Sequence, residues 1–422
     1  MIQEHHKRDD VFGLSRDIPL NYVTREYADK KFLTNLRSQK HVVLYGGSKQ
    51  GKTCLRKHCL APDQYILVQC VNGLDSAGLN ASILKRAGFE ITQSQTKTAA
   101  GKNKVTAAFK AKLLDIGIEL GGEKGTETQV SVVTAPLELD LEDVNDVIQA
   151  LTSINFSKII VLEDFHYLPT ETQKDFAFSL KAFHEISKLC FVIVGVWLED
   201  NRLIVYNGDL TGRVISVNAD IWHKSELQEV IDHGGALLGI TFDKNFSAEL
   251  IQRCKDSVYI LQEACRRTCE KNGVDETLDT PKEIGRGENV QQLVKEIVNE
   301  QSARYNSFLT AFSDGFQDTE LEMYKWLLYP LLTANIDELE QGLLYRRIRQ
   351  VLSEKHPKGE ALNPGNITQA LQSASSLQVK RDIKPIIIDY DQTNKKLNIV
   401  DKGFLVWLAH QDIQEILNDI GY

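Results

Sequence analysis

Residues 46–53 read Gly46-Gly47-Ser48-Lys49-Gln50-Gly51-Lys52-Thr53, the pattern G-x-x-x-x-G-K-[ST] in full. Residue types at this spacing suit the binding of a polyphosphate. The glycines let backbone N–H groups turn inward around an anion, and the positive end of a following helix adds to the same field. Lys52 would reach the β- and γ-phosphates of ATP, and the Thr53 hydroxyl would face a magnesium ion, with the backbone from Gly46 to Cys54 forming the cradle. The apolar run His41-Val42-Val43-Leu44-Tyr45 before the loop reads as a strand, and Cys54-Leu55-Arg56-Lys57-His58-Cys59 after it reads as a helix start. That strand, loop and helix are the context the motif requires. With no partner foreseen for its ammonium in the absence of ATP, Lys52 is expected to be replaceable by alanine without harm to the fold.

A cradle alone hydrolyses nothing, and a second acidic element is needed. Ile159-Ile160-Val161-Leu162 is a wholly apolar run that ends in Glu163-Asp164. Such a run suits a strand buried on both faces of a parallel sheet, with the carboxylates emerging at the carboxyl end where ligands bind. The pair resembles the Walker B motif of P-loop ATPases with its order reversed, since those families place Asp first and Glu second. The resemblance assigns Glu163, with Thr53, to magnesium and Asp164 to the attacking water. The shorter reach of Asp164 implies slow hydrolysis. His166, directly after the pair, is placed either to sense a γ-phosphate or to pack on the sheet.

Upstream, Tyr22-Val23-Thr24-Arg25-Glu26 resembles a segment of STAND ATPases and of origin-recognition-like AAA+ proteins, with Thr24 where glycine is usual. The resemblance implies that Arg25 lines the adenine and ribose side of the pocket. The run Cys190-Phe191-Val192-Ile193-Val194-Gly195-Val196-Trp197 reads as a further strand, without the polar sensor such families often carry. Asn207-Gly208-Asp209-Leu210-Thr211-Gly212-Arg213-Val214 is similar to the segment of AAA+ ATPases, TniB-like ones included, in which an arginine projects at a neighbouring subunit's γ-phosphate. Arg213 matches that arginine, and a planar, permanently charged guanidinium suits the charge that develops in phosphoryl transfer. A second sensor arginine is not evident, because Ser257-Val258-Tyr259 stands in its place. The resemblance covers about residues 15–270.

These elements predict an α/β protein: a P-loop NTPase parallel sheet core with a helical lid and a C-terminal winged-helix domain. The expected divisions are 1–222 for the ATPase core, 223–289 for the lid and a glycine-containing connector, and 290–422 for a helical linker and winged helix. A β-hairpin insertion is expected at 92–136, from the alternation of Ala107, Phe109, Ala111 and Leu113, then Ile116, Ile118 and Leu120, and from a turn at 121–125. In the last division, helices are expected near 343–353 and 367–379, strands at 385–390 and 396–400, and a closing helix at 404–417. Helix, helix and ribbon resemble a winged helix, whose second helix can enter a major groove.

A net charge of −9 excludes a general polyanion binder. Between residues 342 and 402, however, eleven basic residues stand against six acidic ones. Lys395 and Lys396 fall at the expected ribbon tip. The helix over 367–376 is polar and uncharged, so double-stranded DNA and a protein effector remain equal candidates for the wing. Seven cysteines without framework spacing argue for reduced thiols. The absence of an apolar signal core or a long apolar stretch points to the cytoplasm and away from a membrane. Two function classes follow. One is an ATP-hydrolysing AAA+/STAND-type switch, assembling as a homo-oligomer or hetero-complex in transposition, replication initiation or antiviral defence. The other is a regulator that binds ATP and hardly hydrolyses it.

Overall fold

The computed structural model describes residues 5–13, 17–97, 103–112, 131–133, 136–316, 319–359 and 362–422 of the chain. The apolar runs read from the sequence become five parallel strands in the order Tyr65–Gln69, Ile159–Glu163, Phe191–Val194, His41–Tyr45, Val214–Asn218. Their residues alternate between two buried faces, which is why the runs are continuously apolar. Val42, Leu44, Val161, Val192 and Val194 pack with Phe32 and Leu55 on one side. Val43, Ile160, Leu162, Phe191 and Ile193 pack with Phe176, Leu180 and Phe183 on the other. Full burial of each such side chain is worth about 1.5–3 kcal/mol. The strand Phe191–Val194 lies between the cradle strand and the acidic strand, so their carboxyl ends open onto one crevice.

The expected insertion begins at Phe89, directly after helix Ser76–Ala87 ends at a left-handed Gly88. Phe89–Lys97 pairs antiparallel with Asn103–Lys112, and Ser131–Val133 and Leu137–Leu139 both pair with that second strand. The alternation at Ile116, Ile118 and Leu120 and the turn at 121–125 lie outside the described residues.

Beyond the sheet, helices Lys224–Leu237, Lys244–Arg253 and Val258–Lys271 take the place expected for the lid. The connector is more ordered than its composition implies, because Lys282–Ile284 pairs in parallel with Ile240–Phe242. Further along, Leu343–Leu344, Lys396–Ile399 and Ile388–Asp391 form an antiparallel sheet beside helices Met323–Thr333 and Tyr345–Lys355. The helix expected at 367–379 is two helices, Pro364–Gln372 and Ala374–Lys380, meeting at Ser373. The buried Gln378 amide donates to Ile388 O at 2.7 Å and accepts from Ile387 N at 2.7 Å, which fixes the second helix to the sheet rather than in line with the first. The expected closing helix is likewise two, Lys402–Leu408 and Ile413–Ile420, the second capped by Asp412. Among the described residues no helix is long and apolar enough to cross a membrane.

The C-terminal region sits against the central sheet through two contacts of different character. Val196 packs with Val379, Ile386 and Val400 in a small apolar cluster. Beside it the buried Arg202 side chain bonds Glu199 at 3.0 Å and also Asp389, which accepts from Ser375 as well. Thr393 Oγ1, in the turn of the C-terminal hairpin, donates to Glu199 at 3.0 Å. Removing one partner of such a group strands the others, because the interior offers no water in exchange. Arg202→Ala is therefore expected to lower stability by about 3–5 kcal/mol, read from the urea midpoint of the full chain. A loss under about 1 kcal/mol would mean that water reaches these carboxylates.

Candidate functional site

The loop after the cradle strand turns through Gly46 at φ +147° and Gly51 at φ +79°, conformations that favour glycine. Helix Lys52–Cys59 starts directly behind it. Lys52 does not lack a partner, contrary to the expectation: its buried ammonium donates to Gly46 O at 3.1 Å and Gly47 O at 2.5 Å. The loop's own carbonyls thus hold the charge that phosphate oxygens would take. Burial lowers the Lys52 pKa to about 8, against the opposing pull of Asp220, Asp164 and Glu163. Asp220, at the end of the edge strand, accepts from Gly47 N at 2.5 Å. Ser48 N donates at 2.7 Å to the carbonyl of Val400, from the C-terminal region. Gly47 is required by that approach, since a Cβ there would stand 2.7 Å from Val400 O.

The two acids have different neighbours. Glu163 accepts from the Thr53 hydroxyl at 3.0 Å, joining the acidic strand to the cradle helix. Its other oxygen accepts from Arg56 Nε at 3.0 Å. Asp164 leaves the strand in a left-handed conformation, φ 58°, and takes a 2.6 Å hydrogen bond from Gln69 of the neighbouring strand. Burial raises its pKa, opposed by that bond and by Lys52, a shift toward the range useful to a general base. His166 accepts from Val196 N at 3.3 Å on Nδ1, so the neutral ring carries its proton on Nε2. Burial, with Lys52 and Arg202 nearby, holds its pKa down to about 3.

A cavity of about 570 Å³ opens from the loop toward the lid, a size suited to a nucleotide. Ser48, Lys49, Gln50, Gly51, Thr53 and Cys54 line its phosphate end with Lys52, Glu163 and Asp164, while Gly46 and Gly47 shape the loop behind. Its far wall is apolar and aromatic, including Tyr22, Val23, Trp222, Val230, Val258 and Tyr259. Arg25 lies here, buried, donating to Ala219 O at 2.8 Å and stacked 4.3 Å over Trp222. Arg25 Nη2, Gln50 Nε2 and Trp222 Nε1 are buried donors without a hydrogen-bond partner among the described residues. All three belong to residues bordering the cavity. The cradle, the apolar wall and these unspent donors fit a nucleoside triphosphate, and Thr53 with Glu163 fits its magnesium ion.

The chain has a P-loop NTPase fold. Its sheet order, the loop between strand and helix, and the carboxylate on a strand one removed carry that statement. No protein-family model matches the chain, and no curated protein matches it in sequence. Solved structures similar to it include a Walker-type ATPase of Pyrococcus abyssi, 14% identical with a TM-score of 0.49, covering 94% of this chain and 99% of that one. The Aeropyrum pernix Orc1 protein in complex with DNA is 12% identical with a TM-score of 0.44, covering 99% and 100%. The Thermotoga maritima RuvB Holliday junction branch migration motor is 12% identical with a TM-score of 0.34, covering 89% and 92%.

Arg213 is the one candidate placed apart. It is half-exposed at the amino end of the edge strand, paired with Glu185 at 2.6 Å and donating to Asp209 O at 2.5 Å. Sequence reading missed Arg56, Gln69 and Asp220. Arg56 was within reach, because positions three and four residues after Thr53 and Lys52 share their helix face. Gln69 and Asp220 carried no signal, since strand pairing alone brings them to the site. Cys265 and Cys269 are buried in the core.

In the phosphate role expected of Lys52 its ammonium must be charged, and a pKa of about 8 then sets the pH dependence. Above that pH the ligand must restore the proton, so affinity is lost at up to about tenfold per pH unit. Isothermal titration with ADP should show binding about tenfold weaker near pH 9 than near pH 7.5. Lys52→Ala should abolish binding at both, at a cost to stability of about 1 kcal/mol for the stranded carbonyls. A flat pH profile would remove Lys52 from the phosphate site.

Proposed function

We propose that the chain is an ATP-binding and hydrolysing switch of the AAA+/STAND type that couples nucleotide state to a DNA or protein partner through its C-terminal region. The observation that carries this reading is the hydrogen bond from Ser48 N to Val400 O. The loop that would wrap the phosphates is also a seat for the C-terminal region, so a ligand that reshapes the loop favours one placement of that region over another. His166 supports the same coupling, since it borders both the nucleotide cavity and the crevice that holds Arg202, Asp389 and Ser375.

In this reading the cradle binds and orients the triphosphate, with Lys52 turning from the carbonyls to the phosphate oxygens. Magnesium, when bound, supplies charge neutralisation on those oxygens. Asp164, steadied by Gln69 on Oδ2, receives the proton of the attacking water on Oδ1. The helices and three-stranded sheet of the C-terminal region support a winged-helix assignment. Val379 packs on Val196 and Thr393 donates to Glu199, so the second helix and the hairpin turn face the central sheet in part. A duplex would gain full access to them only on release, which favours a protein partner for the docked form and DNA for the released one.

The runner-up is a nucleotide-bound regulator that does not turn over. The apolar Val194 and Val196 at the usual sensor position, and the inverted acids, favour it. Steady-state phosphate release separates the two: Asp164→Asn should slow wild-type hydrolysis by about a hundredfold with ADP affinity kept, and Glu163→Gln should slow it less. Wild-type release no faster than that of Lys52→Ala would leave the regulator.

Assembly enters through Arg213. Its place at the far end of the sheet from its own cradle supports a role in a neighbour's site, and its exposed pair with Glu185 costs little to exchange. Arg213→Ala should bind nucleotide normally and hydrolyse at least tenfold more slowly, and mixing it with Lys52→Ala protein should restore part of the rate. A rate per chain that does not vary with concentration, without rescue on mixing, would make Arg213 a surface residue of a monomer.

A further inference from the structure

Arg56 is a buried cation that the phosphate chemistry does not use. Its side chain is 3% exposed, its Nε donates to Glu163 Oε2 at 3.0 Å, and its guanidinium lies 5.0 Å from the centre of the Tyr65 ring. Its Nη1 is buried without a hydrogen-bond partner among the described residues. The same carboxylate receives the Thr53 hydroxyl on Oε1, so Glu163 is gripped from both sides by one face of one helix. A carboxylate that is to hold the water shell of a divalent cation works through its charge. Here a guanidinium already in contact opposes that charge, at a depth where ion pairs are weakly screened. The phosphates lose nothing by this, because Lys52 is a separate cation pointing into the loop.

We propose that Arg56 is a positioning residue that clamps Glu163 against Thr53 and thereby uncouples nucleotide affinity from magnesium: the chain takes a nucleoside diphosphate almost equally well with and without the ion. The inference rests on the nucleotide site proposed above. Its consequence is that nucleotide occupancy, and any switching it drives, would follow nucleotide concentration rather than free magnesium.

The test is the affinity of the full chain for a fluorescent ADP analogue in magnesium and in EDTA, with hydrolysis playing no part. Wild type should show a ratio of affinities within about tenfold. Arg56→Gln, which keeps a polar side chain and removes the charge, should raise that ratio at least tenfold by strengthening the magnesium arm, with the EDTA arm unchanged within about threefold. Arg56→Gln combined with Glu163→Gln should return the ratio to the wild-type range, because the carboxylate through which the effect acts is gone. Glu163→Gln alone, which leaves Arg56 in place, should also stay in that range and tests the idea should Arg56→Gln fold poorly. A ratio unchanged by Arg56→Gln, or a wild-type ratio of a hundredfold or more, overturns the inference while the site stands. No analogue bound by wild type in either buffer overturns both.

Discussion

A phosphate-binding loop works only if several backbone donors point to one place, and backbone donors cannot be left idle in an interior without cost. The rest of this site is organised around that constraint. Asp220 occupies Gly47 N, Val400 O occupies Ser48 N, and Lys52 folds back on two loop carbonyls. Each is a contact that a polyphosphate can replace with its own oxygens. The loop is thereby held by protein partners from three parts of the chain.

The charges follow the same economy. Lys52, Arg56 and Arg25 are all buried, and each lies near a carboxylate: Asp220, Glu163 and Asp29 respectively. Such pairing keeps the cost of buried charge tolerable. Asp164 is different. It is held by a neutral amide, with burial pushing its pKa up. The two carboxylates at one strand end are thus set apart by their neighbours, one by a guanidinium and a hydroxyl, the other by Gln69.

The attachment of the C-terminal region combines a little apolar burial with a buried polar group. The cluster around Val196 and Val400 is small beside the cores on the sheet and in the helical regions, and Arg202 with its two carboxylates supplies direction more than adhesion. An interface of that composition holds one register. Val400 connects it to the phosphate loop, and His166 lies between the cavity and the Arg202 crevice. The lid helices, by contrast, share a continuous apolar core with the C-terminal helices, from Leu227 through Leu293 and Phe308 to Trp407.

By itself the sequence determined what depends on neighbours along the chain. The run from Gly46 to Thr53 between an apolar strand and a helix, and the apolar run ending in Glu163-Asp164, specify local geometry, and local geometry is enough to place a cradle and an acidic strand end. The helix over 367–379 failed because Gln378 bonds to a strand some ten residues away, a contact that local periodicity does not register. The different neighbours of Glu163 and Asp164 were only half legible, since Gln69 arrives at Asp164 through the pairing of two strands distant in sequence. The partners of Lys52, the aromatic wall at Trp222, and the seating of Val400 on the loop were likewise decided by the tertiary structure. Each depends on residues far apart in the chain meeting at the end of one sheet, where burial forces every polar group to find whatever partner packing brings within reach.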